Sequence, residues 1–194
     1  MKYQLNNKTL TSGLVGTWSW GKGNNGSKMI FGQNFTKEQL KEVFEKAYAS
    51  GFNAWDTAEV YGMGTAETLI GEFIKDKPDV FISTKHFPGK RYKDGETRAA
   101  LEASLKRLGL SKADLYFLHS PKNIESNMKE MAELYKEGLI GSIGSLTRFA
   151  QFLGLGHAGL SHEQINAQAG EENQHKGKEE EHPLIDARNL PGYC

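Results

Sequence analysis

Four side chains that can exchange or stabilise a proton follow short apolar runs in this sequence. The first run, residues 52–55, leads to Asp56 and then to Tyr61, and the next two runs end on Lys85 and His119. A phenol can donate a proton, and a nearby ammonium lowers its pKa from about 10. A carboxylate can hold that ammonium, and an imidazole can donate a hydrogen bond. These residue types therefore fit proton transfer to an oxygen on which negative charge develops.

The elements that must position these side chains alternate between strand and helix patterns. Asp56, Lys85 and His119 are separated by steps that each suit one βαβ unit of ~30 residues. If the three strands are parallel neighbours, these side chains emerge at one carboxyl edge of the sheet, where parallel α/β folds carry their chemistry. The remaining pattern predicts a hairpin in residues 1–12, a first strand at 13–18, a surface loop at 18–34, helices at 36–50, 65–74, 96–108 and 124–136, and a fifth strand at 140–144.

Six short motifs carry a resemblance to a known family. They are Asp56-Thr57-Ala58-Glu59-x-Tyr61-Gly62, Ala66-Glu67-x-Leu69-Ile70-Gly71, Ser83-Thr84-Lys85, Ser104-Leu105-x-Arg107-Leu108-Gly109-Leu110, Asp114-Leu115-Tyr116-x-Leu118-His119-x-Pro121 and Gly138-Leu139-Ile140-x-x-Ile143-Gly144. In this order and at this spacing, residues 1–144 resemble the aldo-keto reductases. The resemblance implies a (β/α)₈ TIM barrel that reduces an aldehyde or ketone to an alcohol with NADPH or NADH.

The resemblance also implies a catalytic tetrad, and all four of its positions match. Tyr61 would supply the proton to the developing alkoxide, and Lys85, held by Asp56, would tune the phenol. His119 would donate a hydrogen bond that orients the carbonyl of a small-molecule substrate. Taken singly, each residue has an ordinary structural explanation, such as a helix cap, a packed ring or a solvated lysine. Their shared position at successive strand ends favours the catalytic interpretation.

Further site residues follow from the same resemblance. Thr17, Trp18 and Asp56 would contact the cofactor. Trp20 and Phe87 would line the substrate pocket, although ordinary aromatic packing explains these two rings equally well.

Composition bounds the remaining function classes. The chain has 194 residues, which is short for a TIM barrel of ~250, and its 24 basic and 24 acidic residues balance. Nothing therefore favours binding to nucleic acid or to a membrane surface. The single cysteine, Cys194, excludes an intrachain disulfide, and the histidine spacings match no metal site. No apolar leader or spanning segment is visible, so a cytoplasmic protein is expected.

The family pattern breaks after Gly144. The resembled reductases continue with Val-Ser-Asn, whose Ser and Asn contact the nicotinamide carboxamide, whereas this chain continues with Ser145, Leu146 and Thr147. A shifted reading frame, an alternative exon or an evolved segment could each give this tail. The sequence thus predicts a partial reductase domain over 1–145, with about five strands of an incomplete barrel. Residues 146–194 are predicted to be a polar, poorly ordered tail, and those from Gln164 onward to pack poorly.

Two main functions remain open for such a chain, besides a weaker third in which the acidic tail is an interaction segment without a recognition motif. In the resembled family an aromatic residue on the seventh strand and a basic cluster after the eighth hold the cofactor, and this sequence has no counterpart to either. The first expectation is a reductase that is truncated and inactive alone. The second is a non-catalytic half-barrel that associates with another chain, or with itself, through its open edge.

Overall fold

A parallel five-stranded sheet forms the centre of the computed structural model, which describes residues 2–11 and 13–145. The strands stand side by side in chain order, and every neighbouring pair is parallel. They are β3 (Val15–Gly16), β4 (Ala54–Asp56), β5 (Phe81–His86), β6 (Leu115–Leu118) and β7 (Ile143–Ser145). The α/β class and the number of barrel strands are therefore confirmed, and the described residues form part of a TIM barrel.

The predicted N-terminal hairpin is present. β1 (Lys2–Leu5) pairs antiparallel with β2 (Lys8–Thr11). The turn residues Asn6 and Asn7 have φ values of 50° and 62°. Asparagine tolerates this left-handed region better than most residues, which is why it favours a tight hairpin turn at this point.

Polar contacts fasten the hairpin to the amino ends of the barrel strands. The Lys8 ammonium donates to the Val80 carbonyl at 2.7 Å and to the Asp114 carboxylate at 2.9 Å. Asn6 donates to the Asp114 carbonyl at 2.6 Å. Val80 and Asp114 directly precede β5 and β6, so the hairpin lies at the edge of the sheet opposite to the strands' carboxyl ends.

Five α-helices accompany the strands in the described part of the chain. They are α1 (Ser27–Phe31), α2 (Lys37–Ala49), α3 (Thr65–Phe73), α4 (Glu96–Leu108) and α5 (Ile124–Lys136). The start of α2 is fixed by a capping box, in which Thr36 and Gln39 exchange side-chain-to-backbone hydrogen bonds of 3.2 and 2.9 Å. Gly109, in a left-handed conformation, ends α4.

Side chains point alternately to the two faces of the buried sheet, so each face has its own part of the core. On β5, Ile82 packs into the cluster beneath α2 and α3, whereas Phe81 packs with Phe117 and the hairpin residue Leu10 on the other face. Lys85 shares a face with Phe81 because strand side chains repeat every second residue. The fold thus directs the Lys85 ammonium towards the inner side of the barrel at the carboxyl end of its strand.

Several boundaries differ from the sequence expectations. The loop at 18–34 contains a short 3-10 helix, Trp18–Trp20, and the helix α1. β5 continues one residue past Lys85, to His86. β7 begins at Ile143, and Ile140 makes only an isolated bridge to Ala113.

The predictions about the C-terminal tail lie outside the described residues. They comprise the domain boundary at 145/146, the poor packing from Gln164 onward and the three explanations for the altered sequence after Gly144.

Candidate active site

Three of the four predicted catalytic residues lie at neighbouring strand ends. Asp56 is the last residue of β4, Lys85 is the penultimate residue of β5, and His119 directly follows β6. The strand order and the parallel registers place all three at the carboxyl edge of the sheet. The predicted juxtaposition of these strand ends is confirmed.

The Lys85 ammonium is the centre of the site. Its Nζ lies 2.5 Å from Asp56 Oδ2 and donates to Tyr61 Oη at 3.2 Å and to the Thr57 carbonyl at 2.8 Å. Ser83 Oγ donates to the second Asp56 oxygen at 3.0 Å. Lys85 is 2% exposed and Asp56 9% exposed, so this charge pair is largely withdrawn from water. Three acceptors satisfy the three N–H groups of the ammonium.

Tyr61 reaches Lys85 from the loop between β4 and α3. The start of this loop is tied to β5 because Thr57 N donates to the Ser83 carbonyl at 2.9 Å. Gly62 then takes a φ of 58°. A Cβ at this position would lie 2.5 Å from the backbone nitrogen of Lys22, so both the conformation and the close approach require glycine.

His119 closes the site on the other side of Tyr61. Its ring meets the Tyr61 ring edge-on, with centroids 5.8 Å apart, and meets Phe87 in the same way at 5.8 Å. Its backbone N–H donates to the His86 carbonyl at 2.8 Å. The ring nitrogen Nδ1 is buried and has no hydrogen-bond partner among residues 2–11 and 13–145.

Burial sets the protonation of both rings. It raises the pKa of the Tyr61 phenol above 10, and Asp56 adds to this effect while the Lys85 charge opposes it. The ammonium therefore acts in the direction that the sequence suggests, but desolvation outweighs it. Burial, followed by the Lys85 charge, lowers the pKa of His119 to about 4, with Glu59 opposing. At neutral pH the phenol keeps its proton and the imidazole is uncharged.

The residues predicted to contact cofactor and substrate occupy different environments. Thr17 is buried, and its backbone N–H and its hydroxyl both donate to the Asp56 carbonyl at 2.9 Å. Trp18 is 46% exposed and stacks on the Tyr61 ring at 5.7 Å. Phe87 is 44% exposed beside His119. These three residues surround the tetrad.

Trp20 packs elsewhere. It is 5% exposed, with its ring 5.3 Å from that of Trp55 and 6.0 Å from that of Phe73. This is the ordinary aromatic packing that the sequence left open as an alternative, and its predicted contact with substrate stays a prediction.

Sequence reasoning missed a second layer of polar residues behind the tetrad. Glu59 Oε1 accepts from the Phe87 backbone N–H at 2.6 Å and lies 2.8 Å from His86 Nδ1. Fully buried Glu67 accepts from Thr84 Oγ1 at 2.6 Å. The available signal was the alternation along β5, which places Thr84 and His86 on the face opposite to Lys85 and next to the helices.

The described residues present neither a cluster of metal ligands nor a helix that could span a membrane. No group of three or more His, Cys, Asp and Glu side chains there is arranged to hold a metal ion. None of the helices in this part of the chain is long and apolar enough to cross a membrane. The cytoplasmic location stays a prediction.

Comparison with known proteins identifies the family of this site. Residues 14–148 match the model of the aldo/keto reductase family, which covers both the sheet and the candidate tetrad. The chain belongs to the aldo/keto reductase family. This confirms the resemblance seen in the sequence motifs.

Two curated relatives show how far the similarity extends. An uncharacterized oxidoreductase of Mycobacterium tuberculosis is 30% identical over 134 residues, which are 67% of this chain and 40% of that protein. The chloroplastic pyridoxal reductase of Arabidopsis thaliana is 30% identical over 149 residues, 66% of this chain and 39% of that protein. The chain therefore spans about two fifths of the length of these two relatives.

Solved structures show the same partial coverage. A thermostable aldo-keto reductase in complex with the inhibitor epalrestat is 33% identical with a TM-score of 0.62, over 75% of this chain and 53% of that one. An aldo/keto reductase from Klebsiella pneumoniae in complex with NADP and acetate is 26% identical with a TM-score of 0.59, over 71% and 46%. This chain is thus similar to part of the barrel of aldo-keto reductases that bind NADP and small molecules.

Proposed function

We propose that the described part of this chain carries the proton-donating half of an NAD(P)H-dependent carbonyl reductase site. In this proposal Asp56, Tyr61, Lys85 and His119 are the catalytic residues, and the reaction converts an aldehyde or ketone to an alcohol. The observation that carries it is the buried Lys85 ammonium, 2.5 Å from a carboxylate oxygen and 3.2 Å from the Tyr61 hydroxyl. This arrangement couples a proton donor to a fixed positive charge.

Tyr61 would donate its proton to the carbonyl oxygen as negative charge develops there. Its raised pKa keeps the phenol protonated and ready to donate at neutral pH. After transfer the phenolate would remain beside the Lys85 ammonium, which stabilises it. Asp56 holds that ammonium in place through their short contact.

His119 would orient the carbonyl. Its pKa of about 4 makes the ring neutral, so one nitrogen donates and the other accepts. The buried Nδ1 has no described partner, and a buried N–H without an acceptor is rarely tolerated, so the proton is better placed on Nε2. Nε2 would then donate a hydrogen bond to the substrate oxygen.

The residues near the tetrad fit a nicotinamide cofactor in part. Trp18 offers a broad, half-exposed ring beside Tyr61. Thr17 and the Asp56 carboxylate are already engaged by protein contacts, so their role would be to fix the wall of the site instead of binding through free groups. When bound, the nicotinamide supplies the hydride. NADPH is the favoured form, since the aldo/keto reductase from Klebsiella pneumoniae was solved with NADP.

The catalytic activity of the 194-residue polypeptide on its own is a separate part of the proposal. The matched region covers about 40% of the curated relatives' length, and the resembled family draws most of its cofactor contacts from the second half of the barrel. We expect the tetrad to be inherited and the isolated polypeptide to be inactive.

A non-catalytic half-barrel is the second candidate function. Among the described strands, β3 and β7 each pair on one side only. Such edges can accept a further strand. A second copy or an intact aldo-keto reductase could supply it, and sedimentation of the purified chain alone and with such a reductase would reveal the association.

A chimera tests the catalytic proposal. Residues 1–144 would be fused to the second half of the thermostable aldo-keto reductase, and NADPH binding and aldehyde reduction would be measured. The proposal expects turnover that Tyr61→Phe abolishes while cofactor binding is spared. Tyr48→Phe is the matched control, because Tyr48 lies on α2 and its hydroxyl donates to Asp79 instead of to a residue of the tetrad. Equal turnover by both variants would refute the role of Tyr61.

A further inference from the structure

Glu59 occupies a junction between the elements that carry the tetrad. It lies between Asp56 and Tyr61 on the loop that follows β4. Its backbone N–H donates to the Lys85 carbonyl at 3.3 Å. Its side-chain Oε1 accepts at 2.6 Å from the N–H of Phe87, the first residue after β5. The side chain is 20% exposed. The loop that carries Tyr61 is thus clamped to the strand end that carries Lys85.

The same oxygen fixes His86. Glu59 Oε1 lies 2.8 Å from His86 Nδ1, and the His86 side chain is only 6% exposed. A carboxylate can only accept, so Nδ1 carries a proton in this pair. On the other side of the ring, Nε2 lies 4.0 Å from Glu96 Oε1 and has no hydrogen-bond partner in the described part of the chain.

Both residues that Glu59 contacts through its side chain, His86 and Phe87, also contact His119. The His86 carbonyl accepts from the His119 backbone N–H at 2.8 Å. The Phe87 ring packs edge-on against the His119 ring at 5.8 Å. A movement of residues 85–87 away from the loop would therefore displace the imidazole as well as the ammonium.

From these contacts we propose that Glu59 is a positioning residue, which acts through Phe87 and His86 to fix His119 and Lys85 relative to Tyr61. The inference rests on the proposed function for its catalytic meaning. The contacts themselves exist in the chain without cofactor or turnover, so they can be tested separately.

The test uses NMR spectra of the full ¹⁵N-labelled chain. We expect His86 in the unaltered chain to show a protonated Nδ1. In Glu59→Ala this signature should be lost, the Phe87 amide should exchange with solvent about 10-fold faster or more, and the His119 ring resonances should move. Glu59→Gln retains an acceptor oxygen for the Phe87 amide and for Nδ1, so it should restore all three signals.

Glu96→Gln is the matched control. It removes a carboxylate that also faces His86, whereas the Phe87 amide donates to Glu59, so the Phe87 amide and the His119 ring should stay as in the unaltered chain. Unchanged His119 resonances in a folded Glu59→Ala chain would overturn the proposal. So would equal displacement in Glu59→Gln, because the field of the carboxylate, not the clamp, would then act on His119.

A second variant guards against the case in which Glu59→Ala does not fold. If Glu59→Ala loses the dispersed amide spectrum, Glu59→Asp takes its place, since its shorter side chain cannot reach both Phe87 and His86. A shift of His119 in this variant supports the proposal, and none overturns it. Neither outcome depends on reductase activity, so failure of the catalytic proposal in the chimera would be recognised separately.

Discussion

At the scale of single residues, the buried charge pair dominates the site. Lys85 and Asp56 have side chains only 3% and 12% exposed, and removal of one partner leaves the other as an unpaired buried charge. We predict that Lys85→Met lowers the free energy of unfolding by about 3–5 kcal/mol, measured by denaturant titration. Lys41→Met, at an exposed position of α2, should change this free energy by less than about 0.5 kcal/mol. Similar losses in both variants would contradict the burial argument.

His119 should make stability depend on pH. Its pKa is about 4 in the fold and 6.5 when unfolded, so below pH 6.5 the unfolded chain takes up the proton first. This stability is present above pH 6.5 and is lost as the pH falls towards 4. The difference between the two pKa values limits the loss of unfolding free energy at pH 5 to about 2 kcal/mol. Solvent screening at the partly exposed ring makes the loss smaller.

Denaturant titrations at pH 7.5 and pH 5 of the unaltered chain and of His119→Gln measure this loss. The variant has no imidazole at this position, so it should lose less stability between the two values. An equal loss in both chains would place the acid sensitivity at another group.

The sequence predicts the positions of the tetrad residues in the fold but not the shifts in their pKa values. Asp56, Lys85 and His119 each follow an apolar run, and strand order then forces them together. The direction of the pKa shift at Tyr61 was beyond sequence reasoning, because desolvation depends on what covers the ring. Glu59 was missed for a similar reason: its partners become visible only when strand alternation turns His86 away from Lys85.

At the scale of elements, a buried ion pair joins α3 and α4 behind the sheet. Glu67 on α3 is fully buried and accepts from Arg107 Nε on α4 and from Thr84 on β5, both at 2.6 Å. This contact connects the helix that follows Tyr61 to the strand that carries Lys85.

The ion pair gives a matched test on one helix. Arg107→Met should lower the free energy of unfolding by about 3–5 kcal/mol, because it leaves the Glu67 charge buried and unpaired. Arg98→Met also removes ion pairs from α4, in this case the solvent-exposed pairs with Glu137 and Glu102, and should cost much less because water screens these charges. Urea titration of both variants measures the difference, and equal costs would show that burial of Glu67 is unimportant.

The longer helices were predictable because their ends carry local signals, such as the Thr36 capping box and Gly109. The segment at 18–34 was not. Its glycine- and asparagine-rich composition indicates a loop, and yet Trp20 is anchored in the core by Trp55 and Phe73. Contacts between residues distant in sequence therefore decided its structure.

At the scale of the whole molecule, the strand order follows from the sequence because each strand is joined to the next by one crossover. The register between the strands adds a constraint that the hydrophobic pattern of the sequence does not show. Phe117 lies opposite Gly144 in the β6–β7 pair, and a Cβ on Gly144 would overlap the Phe117 ring. The glycine at this point of the family motif is thus explained by packing on the inner face of the sheet.

Activity of the 194-residue polypeptide depends on what positions the hydride donor. The tetrad supplies acid–base chemistry, which typically contributes ~10²–10⁴-fold, whereas holding reactants in a near-attack arrangement is worth ~7–11 kcal/mol. Since the family takes most cofactor contacts from the other half of the barrel, loss of positioning should outweigh survival of Tyr61 and Lys85. We predict no saturable NADPH binding by fluorescence and no reduction of test aldehydes, with the chimera as positive control. Cofactor-saturable turnover by the polypeptide, abolished by Tyr61→Phe, would show that this half-barrel suffices.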